Sequence, residues 1–203
     1  MVSTMPVFAK PNLVFARAGR WLAVAMIVGA LQSATLALAA GFKVSSVQPR
    51  ALGSALHLTG GLELGLTGKV EEALSNGIPL ELAIDVRLYR QRVWLWDETV
   101  GTWTLRRQLR YHALSGQYLV SGDGGAVPAR EGFASLNEAL TQLGSLEDVA
   151  LPLRAPLAPE SAFRIGVRVV LDIEALPSLL RPVAYTSRAW DLNSGWTTWK
   201  VER

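Results

Sequence analysis

The stretch Arg90-Gln91-Arg92-Val93-Trp94-Leu95-Trp96-Asp97 sets two guanidinium groups beside two indoles. Guanidinium groups pair with carboxylate or phosphate and stack on aromatic rings. Indoles stack on bases or sugars. Clustered aromatics on neighbouring strands also close one end of a core or cover a protein partner. Further along, Arg106 and Arg110, then Arg164 and Arg168, recur at even spacing within stretches of alternating polarity. Even spacing in a strand puts side chains on one face, so neighbouring strands would line that face with positive charge. Arg106, Arg110, Arg164, Arg168, Trp94 and Trp96 are therefore the candidate face for an anionic ligand or an acidic partner. The plainer reading is a solvated face balanced by Asp and Glu. Charge reversal of Arg106 and Arg168 together is expected to abolish binding and leave thermal stability intact.

Residues suited to catalysis are sparse. His57 and His112 stand far apart in sequence and outside any zinc-binding spacing, and cysteine is absent. No G-x-S-x-G elbow occurs. Gly122–Val127 (GDGGAV) has glycine enough for a phosphate loop, but neither the Walker lysine nor the G-x-G-x-x-G spacing. It reads as a turn. Asp85 and Asp172 fall in strand-like stretches, where a carboxylate needs a reason. One reason is a general acid and base pair. The plainer one is ion pairing with Arg87, Arg106, Arg110, Arg164 and Arg168 across strands. No catalytic residue, cofactor or metal is expected, and a hydrolase using Asp85, Asp172 or His112 ranks last.

Net charge separates the chain into two parts. Lys10, Arg17 and Arg20 are the charges before residue 40, and the remainder holds 17 basic residues against 17 acidic ones. A neutral body argues against nucleic acid as partner. Those three basic residues precede an uncharged apolar run, Trp21–Leu38, and Ala37 and Ala39 fit a signal-peptidase site. Residues 1–39 are expected to be a signal peptide of the general secretory route. The alternative is an uncleaved inner-membrane anchor, since the run approaches spanning length. Either way residues 40–203 would form a single periplasmic domain in a bacterial cell. Without cysteine, that domain must hold together by its core.

Elements follow from periodicity. Phe42–Gln48 and Ser54–Thr67 alternate in polarity and read as two or three short strands. Val70, Ala73 and Leu74 have helical spacing, stopped by Asn76-Gly77. From Leu80 the alternation is long, with Leu82, Ile84, Val86 and Leu88 on one face. The same parity carries Arg90, Arg92, Trp94 and Trp96 onto that face unless a bulge intervenes. Thr102–Leu114 is the returning strand of a hairpin, and Gly116–Gly122 and Phe163–Ile173 are further strands. Ser135 and Glu138 have capping-box spacing ahead of a helix carrying Leu136, Ala139, Leu140 and Leu143. Asp123–Gly132 reads as loop, Leu151–Ser161 as extended, and the chain ends in a strand or hairpin around Asn193-Ser194-Gly195. The expected fold is mostly β: an antiparallel β-sandwich of immunoglobulin-like architecture with two short helices. An α+β domain is the alternative.

Six stretches in this order, EEALSNGIPLEL, RQRVWLWDETV, RYHALSGQYLV, FASLNEALTQLGSL, VRVVLDIEALPSLLRP and WDLNSGWTTWKV, resemble the DUF4390 family of short exported proteobacterial proteins. The resemblance runs from about Phe42 to Lys200, and its matching positions include Arg92, Trp94, Asp172, Trp190, Ser194, Trp196 and Trp199. It brings no catalytic residues. Genes of the family lie beside those of a membrane histidine kinase and its response regulator. That neighbourhood is association and carries no mechanism; the first expectation is a non-enzymatic envelope protein that binds a protein partner through the aromatic and arginine-bearing strands, a membrane sensor kinase among the candidates. A periplasmic small-ligand-binding module with the tryptophans as its pocket is the alternative.

Overall fold

A computed structural model of the chain describes residues 40–92, 94, 96–123 and 131–202. The apolar run and the Ala37/Ala39 pair lie outside the described residues, as does most of the glycine-rich loop. No helix among the described residues is long and apolar enough to cross a membrane.

The domain is a sandwich of two antiparallel sheets. In chain order its elements are β1 (Gly41–Leu52), β2 (Ala55–Gly65), α1 (Gly68–Ser75), β3 (Leu80–Arg90), β4 (Glu98–His112), β5 (Gln117–Gly122) and β6 (Glu131–Phe133). They continue with α2 (Leu136–Gly144), β7 (Ser145–Pro152), β8 (Phe163–Leu171), α3 (Arg181–Thr186) and β9 (Thr197–Lys200). One sheet has the order β1-β2-β7 and the other β6-β5-β4-β3-β8-β9. The inward-facing residues of both sheets join α1 and α2 in one apolar core. Beyond β9 the chain crosses to the smaller sheet: Glu202 donates its N–H to the Pro49 carbonyl and accepts from the Ala51 N–H.

The mostly-β sandwich and the two capped helices match expectation. Thr67 caps α1, its hydroxyl accepting from the Val70 N–H, and Ser135 caps α2 through the Glu138 N–H. Gly77, at φ 83°, takes the left-handed conformation that follows α1. β1 and β2 are long continuous strands rather than several short ones. Register shifts at Val44/Ser46 and Leu58/Gly60 absorb Gly60-Gly61 without ending the ladder. A side chain at Gly60 would sit 2.1 Å from the Ser46 carbonyl oxygen, so the close strand approach requires glycine there.

β3 stops at Arg90, with a register shift at Leu88/Tyr89 that leaves Val100 unpaired against it. Trp94 and Trp96 therefore do not continue the leucine face. Three further elements, β6, β7 and α3, occupy stretches without a clear period. β7 is interrupted by Asp148 in the left-handed region (φ 49°), whose carboxylate meets His57 Nδ1 at 2.6 Å. Glu131-Gly132, expected as loop, begins β6.

One inward position of β4 is not apolar. Arg107 lies between Leu105 and Leu109 on the core side and is 1% exposed. Its Nη1 donates to the carbonyls of Leu143 (2.5 Å) and Ser145 (2.6 Å). These are the last residue but one of α2 and the first of β7, where a helix end leaves carbonyls without intrahelical donors. Burial lowers the Arg107 pKa from the ordinary arginine value to about 10. The unfolded chain holds this proton to higher pH than the folded one. This group's contribution is therefore present above the ordinary arginine pKa and is lost as pH falls through about 10. At neutral pH the charge stays, held by its carbonyls. The structure also explains Gly122, directly opposite Arg107: a Cβ there would lie 2.6 Å from Arg107 Cγ.

Replacing Arg107 with Met is expected to strand two buried carbonyls, at about 3 kcal/mol. For a domain of this size that lowers Tm by about 6–12 °C. Thermal denaturation followed by circular dichroism checks it.

Candidate functional site

The outer face of the six-stranded sheet collects the strand arginines. β3 and β4 present Glu81, Asp85, Arg87, Tyr89, Thr104, Arg106 and Arg110 outward, because Leu80, Leu82, Ile84, Val86, Leu88, Leu105 and Leu109 are committed to the core. β8 repeats the alternation: Phe163, Ile165, Val167 and Val169 point in, Arg164 and Arg168 out. Pairing of β3 with both β4 and β8 merges these outward rows into one surface.

Of the four candidate arginines, two are held in structural ion pairs. Arg106 Nη1 donates to Glu81 Oε1 at 2.5 Å and to Asp172 Oδ2 at 2.8 Å. Its hydrogen bonds to Glu81 and then to Asp172 raise its pKa above the ordinary arginine value. Arg168 Nη2 donates to Asp85 Oδ2 at 2.6 Å, and the other oxygen of Asp85 accepts from Thr104 at 2.9 Å. The two aspartates thus answer to arginines, Asp85 to Arg168 on the neighbouring strand β8 and Asp172 to Arg106 across the intervening β3. Asp172 lies one residue past β8, where its carboxylate also accepts from the Glu174 N–H and caps the 3-10 turn Ile173–Ala175. Arg164 keeps only a 3.1 Å hydrogen bond to the Thr198 hydroxyl. Arg110 stands apart on the β5 side of the sheet, opposite Leu119.

The tryptophans divide into three environments. Trp190 is buried, and Trp103 and Trp199 pack against the core, with Trp103 Nε1 donating to the Pro152 carbonyl at 3.2 Å. Trp196 lies on the outer sheet face beneath the guanidiniums of Arg87 and Arg168, whose Cζ atoms are 4.4 and 4.9 Å from its ring centroid. Trp94 and Trp96 sit beyond the end of β3, 93% and 91% exposed. Below them Glu98, at the start of β4, takes ion pairs from both Arg90 and Arg92. The opening cluster is therefore a braced hairpin tip carrying two bare indoles.

Cavities are small. One of about 260 Å³ lies between the start of β4 and the segment after β7, lined by Trp103, Pro152 and Arg154 among others. A second, about 220 Å³, adjoins Phe163 and Leu157. Ligand pockets usually enclose about 300–1,000 Å³. The exposed tryptophans line neither cavity. Among the described residues the two histidines belong to different sheets: His57 is on β2, and His112 ends β4 and contacts the Ser115 hydroxyl.

Arg87, Trp196 and Lys200 are absent from the candidate face drawn from sequence, although Arg87 is named there as an ion-pair partner. Arg87 shares parity with Asp85 and was visible in the alternation. Trp196 and Lys200 enter only through the β8–β9 pairing.

The fold and this surface define an antiparallel β-sandwich domain with a basic, aromatic sheet face and a tryptophan-tipped hairpin. Residues 39–200 match the family model described as domain of unknown function (DUF4390). The chain belongs to that family. No curated protein and no solved structure matches it.

Arg106→Glu combined with Arg168→Glu is now expected to lower Tm by several degrees. The new carboxylates would face Glu81, Asp172 and Asp85, where like charges across strands repel. Denaturation of the double variant beside Arg110→Glu, which has no ion-pair partner among the described residues, separates this from a general effect of lost positive charge.

Proposed function

We propose that the domain is a non-enzymatic envelope protein, exported through its N-terminal segment, that binds a protein partner through the β3–β4 hairpin tip. The observation that carries this is the near-complete exposure of Trp94 and Trp96 at 93% and 91%. Two neighbouring hydrated indoles are unfavourable in an isolated domain. Exposed aromatic groups bordered by arginine have the composition of a binding hot spot. Arg90 and Arg92 both pair with Glu98 at the base of the tip, which sets guanidinium groups beside the indoles. A membrane sensor kinase is the first partner to test, given the gene neighbourhood that the family resemblance implies. The small-ligand reading has less support, because the exposed indoles line neither of the two cavities among the described residues.

The test is mild crosslinking in intact envelopes, detergent extraction of the tagged full chain, and mass spectrometry of what accompanies it. A specific envelope protein should be enriched over a control exporting only residues 1–39. Trp94→Ser with Trp96→Ser should remove it while Tm stays unchanged. Retention of the partner by this double variant would overturn the tip as contact. The same sample reads the N-terminus: a start near residue 40 would indicate cleavage, and an intact Met1 an anchor.

A further inference from the structure

We propose that the β3–β8–β9 part of the outer sheet face is a second contact, a docking site for an acidic stretch of polypeptide on the partner. This deepens the partner-binding reading and rests on it. The inference starts from a charge imbalance. From the Asp85 row towards the hairpin tip, the outward positions of these three strands carry Arg87, Arg164, Arg168 and Lys200 against a single carboxylate, Asp85. Asp85 already holds Arg168. Arg87, Arg164 and Lys200 have no carboxylate partner among the described residues.

Two of these cations are directly opposed. Arg164 pairs with Lys200 across β8 and β9, an arrangement that destabilises a sheet when both residues carry the same charge. The Arg106–Glu81–Asp172 cluster on the same surface shows that this fold places carboxylates beside its arginines where the pairing is structural. An uncompensated pair is accounted for by an anion that arrives from outside.

The ground on which an anion would land is built and held. Trp196 lies over Gly166, where a Cβ would come within 3.3 Å of the indole and 3.1 Å of the Tyr89 ring. The turn that delivers Trp196 is pinned to β8. Ser194 donates its N–H to the Val169 carbonyl, and its hydroxyl accepts from the Val169 N–H. Asn193 Oδ1 closes the turn on the Gly195 N–H, with Gly195 at φ 67°. The indole in turn stacks with Arg87 and Arg168, which limits the freedom those guanidiniums would lose on binding.

Geometry selects the occupant. Same-face positions along a strand are about 7 Å apart and neighbouring strands about 4.8 Å. Cations spread over two rows of an open sheet do not converge around one phosphate. They do match successive carboxylates on an extended or helical acidic segment. Trp196 is held flat against the sheet, 36% exposed, and so offers an aromatic floor under the cations rather than a projecting contact.

The experiment titrates the full chain in neutral detergent, at low salt, with poly-L-glutamate, with inorganic phosphate, and with phosphatidylglycerol-containing vesicles. Tryptophan emission and calorimetry report binding. Poly-L-glutamate should bind, and Arg164→Gln with Lys200→Gln should weaken it by about tenfold or more. The same double variant should keep or raise Tm, because it relieves the like-charge opposition. Equal binding by wild type and variant, absence of binding, or preference for phosphate or vesicles would overturn the proposal. The Trp94→Ser, Trp96→Ser variant should still bind poly-L-glutamate as wild type does. If poly-L-glutamate fails while those tip substitutions still release the envelope partner, the acidic occupant falls and the partner-binding reading stands.

Discussion

A full positive charge in the middle of the sandwich is the constraint on which its two layers depend. Arg107 belongs to β4 in the six-stranded sheet, yet its hydrogen bonds go to the end of α2 and the first residue of β7, in the three-stranded one. With no cysteine there is no covalent tie between the sheets. Apolar burial drives them together but does not specify how one slides over the other. Two directional, charge-assisted bonds to backbone carbonyls do. The neighbourhood is built around them. Gly122 leaves room for the Arg107 stem, and Gly144 lets the end of α2 meet β2, where a Cβ would lie 2.3 Å from the Leu62 carbonyl oxygen. Enlarging either glycine would displace the groups that hold the guanidinium.

The outer face obeys a different rule. Water screens its charges, and exposed pairs contribute little each. Arg106 and Arg168 nevertheless lie in short hydrogen-bonded contact with carboxylates of the adjacent strand β3, Glu81 and Asp85, and the partly covered Asp85 also takes the Thr104 hydroxyl. That half of the face reads as a local cross-strand network supporting strand register. Nearer the hairpin tip the carboxylates run out while the cations continue. The arginines of one strand, evenly spaced in sequence, thus fall into two populations. What separates them is which neighbour the register supplies.

That distinction marks the limit of sequence reading. Leucine and valine alternation made β3, β4 and β8 legible, and their parity located the outward arginine face. Ion pairing of Asp85 and Asp172 was anticipated as the plainer explanation. Arg107 was missed because Arg106-Arg107 puts a charge on each face at once, and the inward one looks like an interruption of the leucine pattern. Its signal was parity alone, Leu105-Arg107-Leu109. β7 was hidden by Glu147-Asp148, whose left-handed residue breaks the period. The end of β3 at Arg90 released the tip tryptophans from the leucine face, although the parity of β3 itself is unbroken to that point. The opposition of Arg164 and Lys200 depends on pairing between separate strands, which no local pattern encodes.

The two exposed features also constrain one another. The hairpin tip and the basic face share β3, and Arg90 pairs with Phe163 one register step from Tyr89–Arg164. Any surface that covers the indoles therefore approaches the same end of the sheet where Arg87, Arg164 and Lys200 lack carboxylates. A partner matching only the tip would desolvate nearby cations without compensating them, which weakens binding. A partner that brings an apolar pocket for the indoles together with flanking acidic residues satisfies both. The basic face then acts chiefly on encounter and orientation, through its field, and the tryptophans on residence, through desolvated contact. Rising salt would slow association more than it hastens release.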